Sequence, residues 1–298
     1  PEKAWDFTNI GNTVAIVTDG SAVLGLVNIG PLPGLPVMEG KAALFATLAG
    51  ISGVPILVDA KDPASIIETV VAIAPSFGAI QLEDIGAPAC FQVESELTAR
   101  LDKPVLHDDQ HGTAVVTLAA VRNAGRISGQ RLSQSLVGQV GLGAAGYGIA
   151  RLLFARGASR ILGADLDPSA VARFEELGGE ASNLERIMAE AEIVIATTGV
   201  RGLIKPEMVR PGQVILALTN PDPEIDYHEA KRTRPDAIIA SGRSDFPNQV
   251  NNVLGFPFIF RGALDVRATE INEAMKVAAV HALAELALQS DRDADRLE

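Results

Sequence analysis

The sequence predicts an α/β protein of two domains, the second a Rossmann-type, doubly wound parallel sheet. Three observations predict this. Short β-branched runs alternate with segments of helical period along almost the whole chain. A GxGxxG fingerprint at Gly141, Gly143 and Gly146 stands between a strand-like run and an apolar helical one. A polar stretch, Gly125 to Ser135, separates two such series. The boundary is placed there, giving expected domains of 1–125 and 126–298, a division that suits a chain of 298 residues.

In the first half, Val14–Thr18, Val23–Ile29, Pro55–Val58, Ala79–Leu82 and Val105–Leu106 are expected strands. Met38–Ala49, Pro63–Ile73, Cys90–Arg100 and the longer apolar run Gly112–Ala124 are expected helices. In the second half, strand Leu136–Val140 runs into the glycine motif. Helix Ala144–Ala155 and strand Arg160–Ala164 follow. Ile193–Ala196, Val214–Leu218 and Ala237–Ala240 extend the strand series, and Val266–Leu288 reads as mostly helical. A β-α-β series of this kind implies parallel pairing.

The formal net charge is −12, which argues against nucleic acid or an anionic membrane as a partner. Cys90 is the one cysteine, so no internal disulfide can form, and a reducing, cytoplasmic location is expected. Cys90 itself reads as a packing residue. The uncharged run Ala42–Val58 is broken by Gly50, Gly53 and Pro55 and reads as helix, turn and buried strand rather than a membrane span. The start of the chain has no pattern of a secretory signal, so none is expected.

The glycine motif has the context a dinucleotide site needs. Gly141 permits a tight turn, Gly143 a close approach of backbone to pyrophosphate, and Gly146 close packing of helix on strand. With Ala144 and Ala145 they make the phosphate loop, at a helix N-terminus whose free N–H groups favour anions. Asp165 ends the next strand and can accept hydrogen bonds from the adenosine ribose diol. A carboxylate there repels a 2′-phosphate, and Leu166, Asp167 and Pro168 offer no cation to hold one. NAD is therefore expected over NADP.

Two acidic clusters also fall at strand ends: Glu83-Asp84 in QLEDI and Asp108-Asp109 in HDDQHG. Sites in open α/β sheets form at the carboxyl ends of strands, so both clusters are expected to face one crevice. Oxygen ligands select a hard cation, Mg²⁺ or Mn²⁺. His107 and His111, spaced i and i+4, offer zinc as the alternative. The surrounding composition argues against a helix carrying both. Lys41, expected near the start of an apolar helix, becomes a candidate base if burial beside the metal lowers its pKa. In isolation it would read as a surface lysine.

Taken together these segments resemble the malic enzymes, in their small prokaryotic type. The resemblance covers nearly the whole chain. It runs through DGSAVLGLVNIGPLPGLPVMEGKA, QLEDIGAPACFQVE, HDDQHGTAVV, GLGAAGYGIA, LTNPDPEI, GRSDFPNQVNN and FPFIFRGALDVRATEIN. It implies oxidative decarboxylation of (S)-malate to pyruvate and CO₂ with NAD(P)⁺ and a divalent metal, in a substrate- and metal-binding N-terminal domain followed by an NAD-binding one. By position it implies Glu83, Asp84 and Asp109 as metal ligands, Lys41 as general base and Asp108 as the group that orients it. Asn220, Asn251 and Asn252 are implied as contacts to substrate, with Asn220 and Asn251 also at the nicotinamide. A homodimer is implied as well.

Four departures accompany the resemblance. Small malic enzymes carry a tyrosine acid in a YTPG-like motif; Tyr147 and Tyr227 do not match it, and its place is expected upstream of Pro1. Val27 stands where the family has glycine in its LGLGNIG stretch. The segment Leu166–Glu190 is shorter than usual, and the family normally continues past the last helix. Two other readings compete: another two-domain 2-hydroxy-acid or amino-acid dehydrogenase, and an incomplete NAD-binding chain that lacks the acid. The paired acidic motifs count against the first, and the missing tyrosine favours the second.

Overall fold

The structure, a computed structural model, describes residues 3–23, 25–26, 28–60 and 62–294. In chain order the main elements of the first part are α1 (Lys3–Phe7), β1 (Thr13–Thr18), α2 (Pro31–Ala49), β2 (Ser52–Leu57), α3 (Pro63–Ile73), β3 (Ala79–Leu82), α4 (Ala89–Arg100), β4 (Val105–His107) and α5 (Asp108–Ser128). There follow β5 (Leu136–Val140), α6 (Ala144–Ala155), β6 (Arg160–Ala164), α7 (Pro168–Glu176), β7 (Glu180–Ala181), α8 (Leu184–Glu190), β8 (Ile193–Ala196), β9 (Val214–Ala217), α9 (Tyr227–Thr233), β10 (Ile238–Ser241), α10 (Phe256–Asp265) and α11 (Glu273–Ala294).

Contacts gather these elements into two units. One holds the chain up to Gly112 together with Val253–Val277; the other holds Thr113–Asn252 together with the chain from Ala278. The change from one unit to the other comes inside α5, not in the polar stretch that follows it, and α10 packs with the first unit.

The first unit is built on a parallel sheet of order β2-β1-β3-β4. β1 and β3 are the inner strands, and their residues Val14, Ala15, Ile16, Val17, Ala79, Ile80 and Leu82 are fully buried, as a sheet covered on both faces requires. The register pairs Leu82 with His107, so the residues that leave β3 and β4, Glu83 and Asp108, emerge side by side. The second unit has a six-stranded parallel sheet of order β10-β9-β8-β5-β6-β7. Strand order reverses at β5, which makes the ends of β5 and β8 the switch point where such sheets bind ligands. Behind it, Val194, Ile215, Ile187 and Ile239 belong to one apolar core.

Four expectations need correction. Val23–Ile29 is not a strand: Leu26 N–H turns back to Val23 O, Gly25 has φ 77°, and Ile29 and Gly30 N–H both reach Gly20 O. β-branched composition was outweighed here by three glycines that permit turns. Leu24 and Val27 lie outside the described residues. Helix α2 begins at Pro31, well before Met38, because Pro31 supplies an N-terminal residue with fixed φ after Gly30 at φ 76°. Lys41 therefore sits in the middle of the helix. Helix α5 begins at Asp108 rather than Gly112, its first turn carrying Asp108 and Asp109, which suit the positive end of the helix dipole. The expected helix over Val266–Leu288 starts late: α10 has ended at Asp265, Arg267 has φ 51°, and α11 runs from Glu273 to Ala294. No helix among the described residues is long and apolar enough to cross a membrane.

Candidate active site

The acidic cluster of the first unit forms where β3 and β4 end. Glu83 donates its N–H to Val17 O, which continues the sheet one residue past β3. Asp84 then breaks away at φ 52°, a left-handed conformation that Asp tolerates better than most residues. This kink is held from both sides. Asp84 N–H donates to Asp109 Oδ2 at 2.9 Å, and Ala22 N–H donates to Asp84 O at 2.9 Å. One carboxylate oxygen from each of Glu83, Asp84 and Asp109 lies within 4.8 Å of the others, the one such trio found among the described residues. Glu83 and Asp84 are 2% and 3% exposed.

Lys41 reaches this cluster from the middle of α2. Its Nζ lies 2.7 Å from Asp108 Oδ2 and 3.0 Å from Glu83 Oε1. The ring of Phe256 in α10 covers it, with 4.4 Å from Nζ to the ring centroid. Phe45 packs edge-on against both Phe256 and Phe260, fixing that ring. The surface lysine of the bland reading is thus a caged ammonium.

The electrostatics are those of charges crowded out of water. Burial pushes the Glu83 carboxyl well above its usual range, and Asp108, Asp109 and Asp84 add to this against the pull of Lys41. Burial, then the neighbouring Asp109, pushes Asp84 up to about 7. Asp108 is raised too, chiefly by burial. Asp109 goes the other way: burial opposes its charge, but His107 outweighs it. Lys41 corrects the expectation of a depressed pKa. Burial alone would lower it, but Asp108 and Glu83 more than compensate, and the ammonium is held above its ordinary value. Three carboxylates and no neutral ligand form an oxygen donor set for a hard dication, and their mutual repulsion is what such a cation would relieve.

The histidines do not form a zinc pair. His107 ends β4 and lies 3.1 Å from Asp109 Oδ2 through Nε2; His111 lies in α5 and meets Glu94 Oε2 at 2.9 Å. Each imidazole is matched to a separate carboxylate. Glu94 also accepts the backbone N–H of His107 at 2.8 Å, and Lys276 Nζ lies 3.2 Å from His111 Nδ1 and 3.0 Å from Glu273. Burial opposes the charge of Glu94, yet His111 and His107 bring its pKa down to about 2.

In the second unit the glycine motif closes a turn at the end of β5. Gly141 has φ 88°, and a Cβ there would stand 2.6 Å from Thr197 O. A Cβ on Gly146 would stand 1.9 Å from Gly141 O, so α6 can approach β5 only with glycine at that place. A Cβ on Gly143 would meet nothing within 4 Å. Ala144 and Ala145 open α6 with no side chain capping its first turn. Asp165 accepts Leu142 N–H at 2.6 Å and Asp167 N–H at 2.9 Å, which aims its carboxylate back at the turn.

The comparisons with known proteins reach into both units. The N-terminal domain of malic enzyme matches residues 3–98, and the malic enzyme NAD-binding domain matches residues 169–297. An NADP-dependent malic enzyme of Halomonas elongata is 50% identical over 96% of this chain and 71% of its own length. The chain belongs to the malic enzyme family. NAD-dependent malic enzyme 1 of Bacillus subtilis is 58% identical over 98% of this chain, which spans 65% of that relative's length. The crystal structure of an NAD-dependent malic enzyme from Thermotoga maritima superposes with a TM-score of 0.88 at 41% identity, covering 95% of this chain and 79% of that one.

The asparagines that the malic enzyme resemblance singled out lie together in the second unit. Asn220 leaves β9 through a short loop and donates Nδ2 to Gly242 O at 3.1 Å; Asn251 donates to the same carbonyl at 3.2 Å. Asn252 follows Asn251 and opens a short 3₁₀ turn, Asn252–Leu254. Sequence reasoning did not single out Gln81, whose amide holds Glu83, nor Glu94, Lys276 and Phe256. Phe256 lay inside a motif quoted for the resemblance, which was a usable signal. Gln81 and Glu94, the first and last residues of QLEDIGAPACFQVE, lay inside such a motif too; Lys276 carried none, because its partner His111 is remote in sequence.

Proposed function

We propose that this chain carries the catalytic apparatus for oxidative decarboxylation of (S)-malate to pyruvate and CO₂ with NAD⁺ and Mg²⁺ or Mn²⁺. The observation that carries the reading is the Lys41 ammonium held between Glu83 and Asp108 beside a three-carboxylate trio, in a chain that also has a dinucleotide turn. Lys41 takes the C2 hydroxyl proton of malate, and Asp108 orients its amine. Of the two carboxylates that hold Lys41 charged, Glu83 belongs to the trio a cation would engage, and engaging it weakens the hold on the ammonium proton and favours the amine as base. Glu83, Asp84 and Asp109 would hold the metal, which would supply Lewis-acid polarisation of the C2 oxygen for loss of CO₂ from C4. Bound NAD⁺ supplies the hydride acceptor.

Gly141, Gly143, Ala144, Ala145 and Gly146 offer backbone to the pyrophosphate, and Asp165 takes the ribose diol, which favours NAD⁺ over NADP⁺. Asn220, Asn251 and Asn252 bind substrate carboxylate and nicotinamide amide through neutral hydrogen bonds. By resemblance the working form is a cytoplasmic homodimer, and the exposed Leu32, Val37 and Leu48 on α2 suit contact between like subunits. The two units correspond in this reading to the substrate- and metal-binding domain and the NAD-binding domain.

The test is a single assay of (S)-malate with NAD⁺ and Mn²⁺ that follows NADH and pyruvate together. Accumulation of both, abolished by chelation, is expected, with pyruvate lagging behind NADH because neither Tyr147 nor Tyr227 matches the acid. NADH without pyruvate would place the chain with the 2-hydroxy-acid dehydrogenases instead.

A further inference from the structure

We infer that Glu224, which nothing in the proposed chemistry uses, is the positioning residue for the nicotinamide half of the dinucleotide site; the inference rests on the reading above. Glu224 follows the cis Asn220–Pro221 bond in LTNPDPEI and is 0% exposed. Its carboxylate gathers four donors from two loops. Oε1 accepts Thr198 N–H at 2.7 Å, Thr198 Oγ1 at 3.1 Å and Thr219 Oγ1 at 2.5 Å; Oε2 accepts Thr219 N–H at 3.3 Å. Thr219 Oγ1 in turn accepts Gly199 N–H at 3.0 Å. The loops so joined leave the carboxyl ends of β8 and β9.

Those ends lie on the β8 side of the switch point, opposite the β6 side where Asp165 stands. In a doubly wound sheet the two halves of a dinucleotide divide across that point, so the β8–β9 side falls to the nicotinamide. The knot is also continuous with the site. Thr197 Oγ1 bonds Gly141 O in the phosphate turn at 3.3 Å, and Gln139 Nε2 bonds both Thr197 Oγ1 and Gly141 O. At the other end, Asn220 next to Thr219 is pinned to Gly242 O. A carboxylate suits this place because every group that faces it is a donor. An amide would turn its own N–H₂ on at least one of them and leave buried donors without an acceptor.

The experiment compares two ligands on the full chain: ADP-ribose, which lacks nicotinamide, and NADH, whose bound fluorescence reports the nicotinamide surroundings. With Glu224→Gln, the Kd for NADH should rise roughly 10-fold while that for ADP-ribose stays within about 2-fold, and the fluorescence of bound NADH should change. Thr219→Val removes one hydroxyl of the knot and should do the same to a smaller degree; it decides the question if Glu224→Gln does not fold. Equal weakening of both ligands, or weakening of neither, in the folded variant would overturn the inference and leave Glu224 a purely structural group. Neither binding measurement needs turnover. A chain that forms no NADH from malate would therefore sink the proposed function without touching this result.

Discussion

At the ends of β3 and β4 the first unit takes four carboxylates and an ammonium out of water; at the end of β5 the second unit presents mainly backbone. In the first, shape is secondary and charge is everything. Glu83, Asp84 and Asp108 are all pushed toward their neutral forms, and the kink at Asp84 exists to bring its carboxylate to the others. In the second, Gly141 and Gly146 matter for what they lack, and the one carboxylate, Asp165, is already satisfied by two N–H groups. The first region is a place of crowded charge whose repulsion a cation would relieve, and the second a preformed mould. Replacing a charge in the first should therefore act on chemistry and metal. Replacing a group in the second should act on cofactor choice.

The largest effect that would sharpen this contrast is expected of Lys41→Ala. Loss of the proton acceptor should lower kcat by ~10²–10⁴-fold. The Kd for NADH, measured by fluorescence, should not move. A variant that loses NADH binding in proportion to kcat would mean that Lys41 serves the cofactor, and the division between the two regions would fail.

Asp109→Asn comes next. It removes a charge from the trio and leaves His107 without its carboxylate, while the amide oxygen can still accept Asp84 N–H. Mn²⁺ affinity, read by titration of the paramagnetic ion, should drop roughly 10- to 100-fold. Exhaustive chelation of the unaltered protein should abolish turnover. Turnover that survives chelation would show that the trio is only a structural knot.

In the second region, Asp165→Ala tests cofactor choice. Removing hydrogen bonds to the ribose diol and the repulsion of a 2′-phosphate should shift the ratio of kcat/KM for NAD⁺ over NADP⁺ by about 10-fold in favour of NADP⁺. An unchanged ratio would mean that the choice is made elsewhere on β6 or α7. Both kinds of cofactor occur among the relatives, so family membership alone does not decide the choice.

How much of this was open to reading from sequence differs between the same two regions. The mould is local: β5, α6 and β6 run over contiguous residues, and their boundaries follow directly from β-branched runs and a helical apolar period. The acidic motifs were visible as strand-end clusters, and the pairing of Leu82 with His107 makes them adjacent. What surrounds them was not visible. Lys41 meets Asp108 and Phe256 across the fold, Glu94 meets His111 between two helices, and no periodicity encodes such meetings. The short α7, α8 and α9 also went unread. Each begins at an Asp or Asn whose side chain caps the first turn, at Asp167, Asn183 and Asp226, but each is too short for a helical period to stand out.

The smallest effect concerns how the charged region is supported. Glu94 receives His111, the His107 backbone and Gln110, and its pKa falls from 4.5 to about 2 although burial opposes the charge. A carboxylate depressed on folding adds stability that is complete above its unfolded value and is lost as pH falls through its folded one. The window is thus pH 4.5 down to about 2. The full shift corresponds to about 3 kcal/mol at neutral pH. At ~2 °C per kcal/mol for a chain of this size, Glu94→Gln should lower Tm by roughly 5 °C near pH 7. The gap between the two proteins should then narrow as pH falls below 4.5, because the natural chain is surrendering what the variant never had. Thermal unfolding followed at intervals from neutral pH into this window measures both slopes. Slopes parallel throughout would mean that folding leaves the titration of Glu94 unshifted. In that case the charge supporting His107, and through it Asp109, must come from elsewhere.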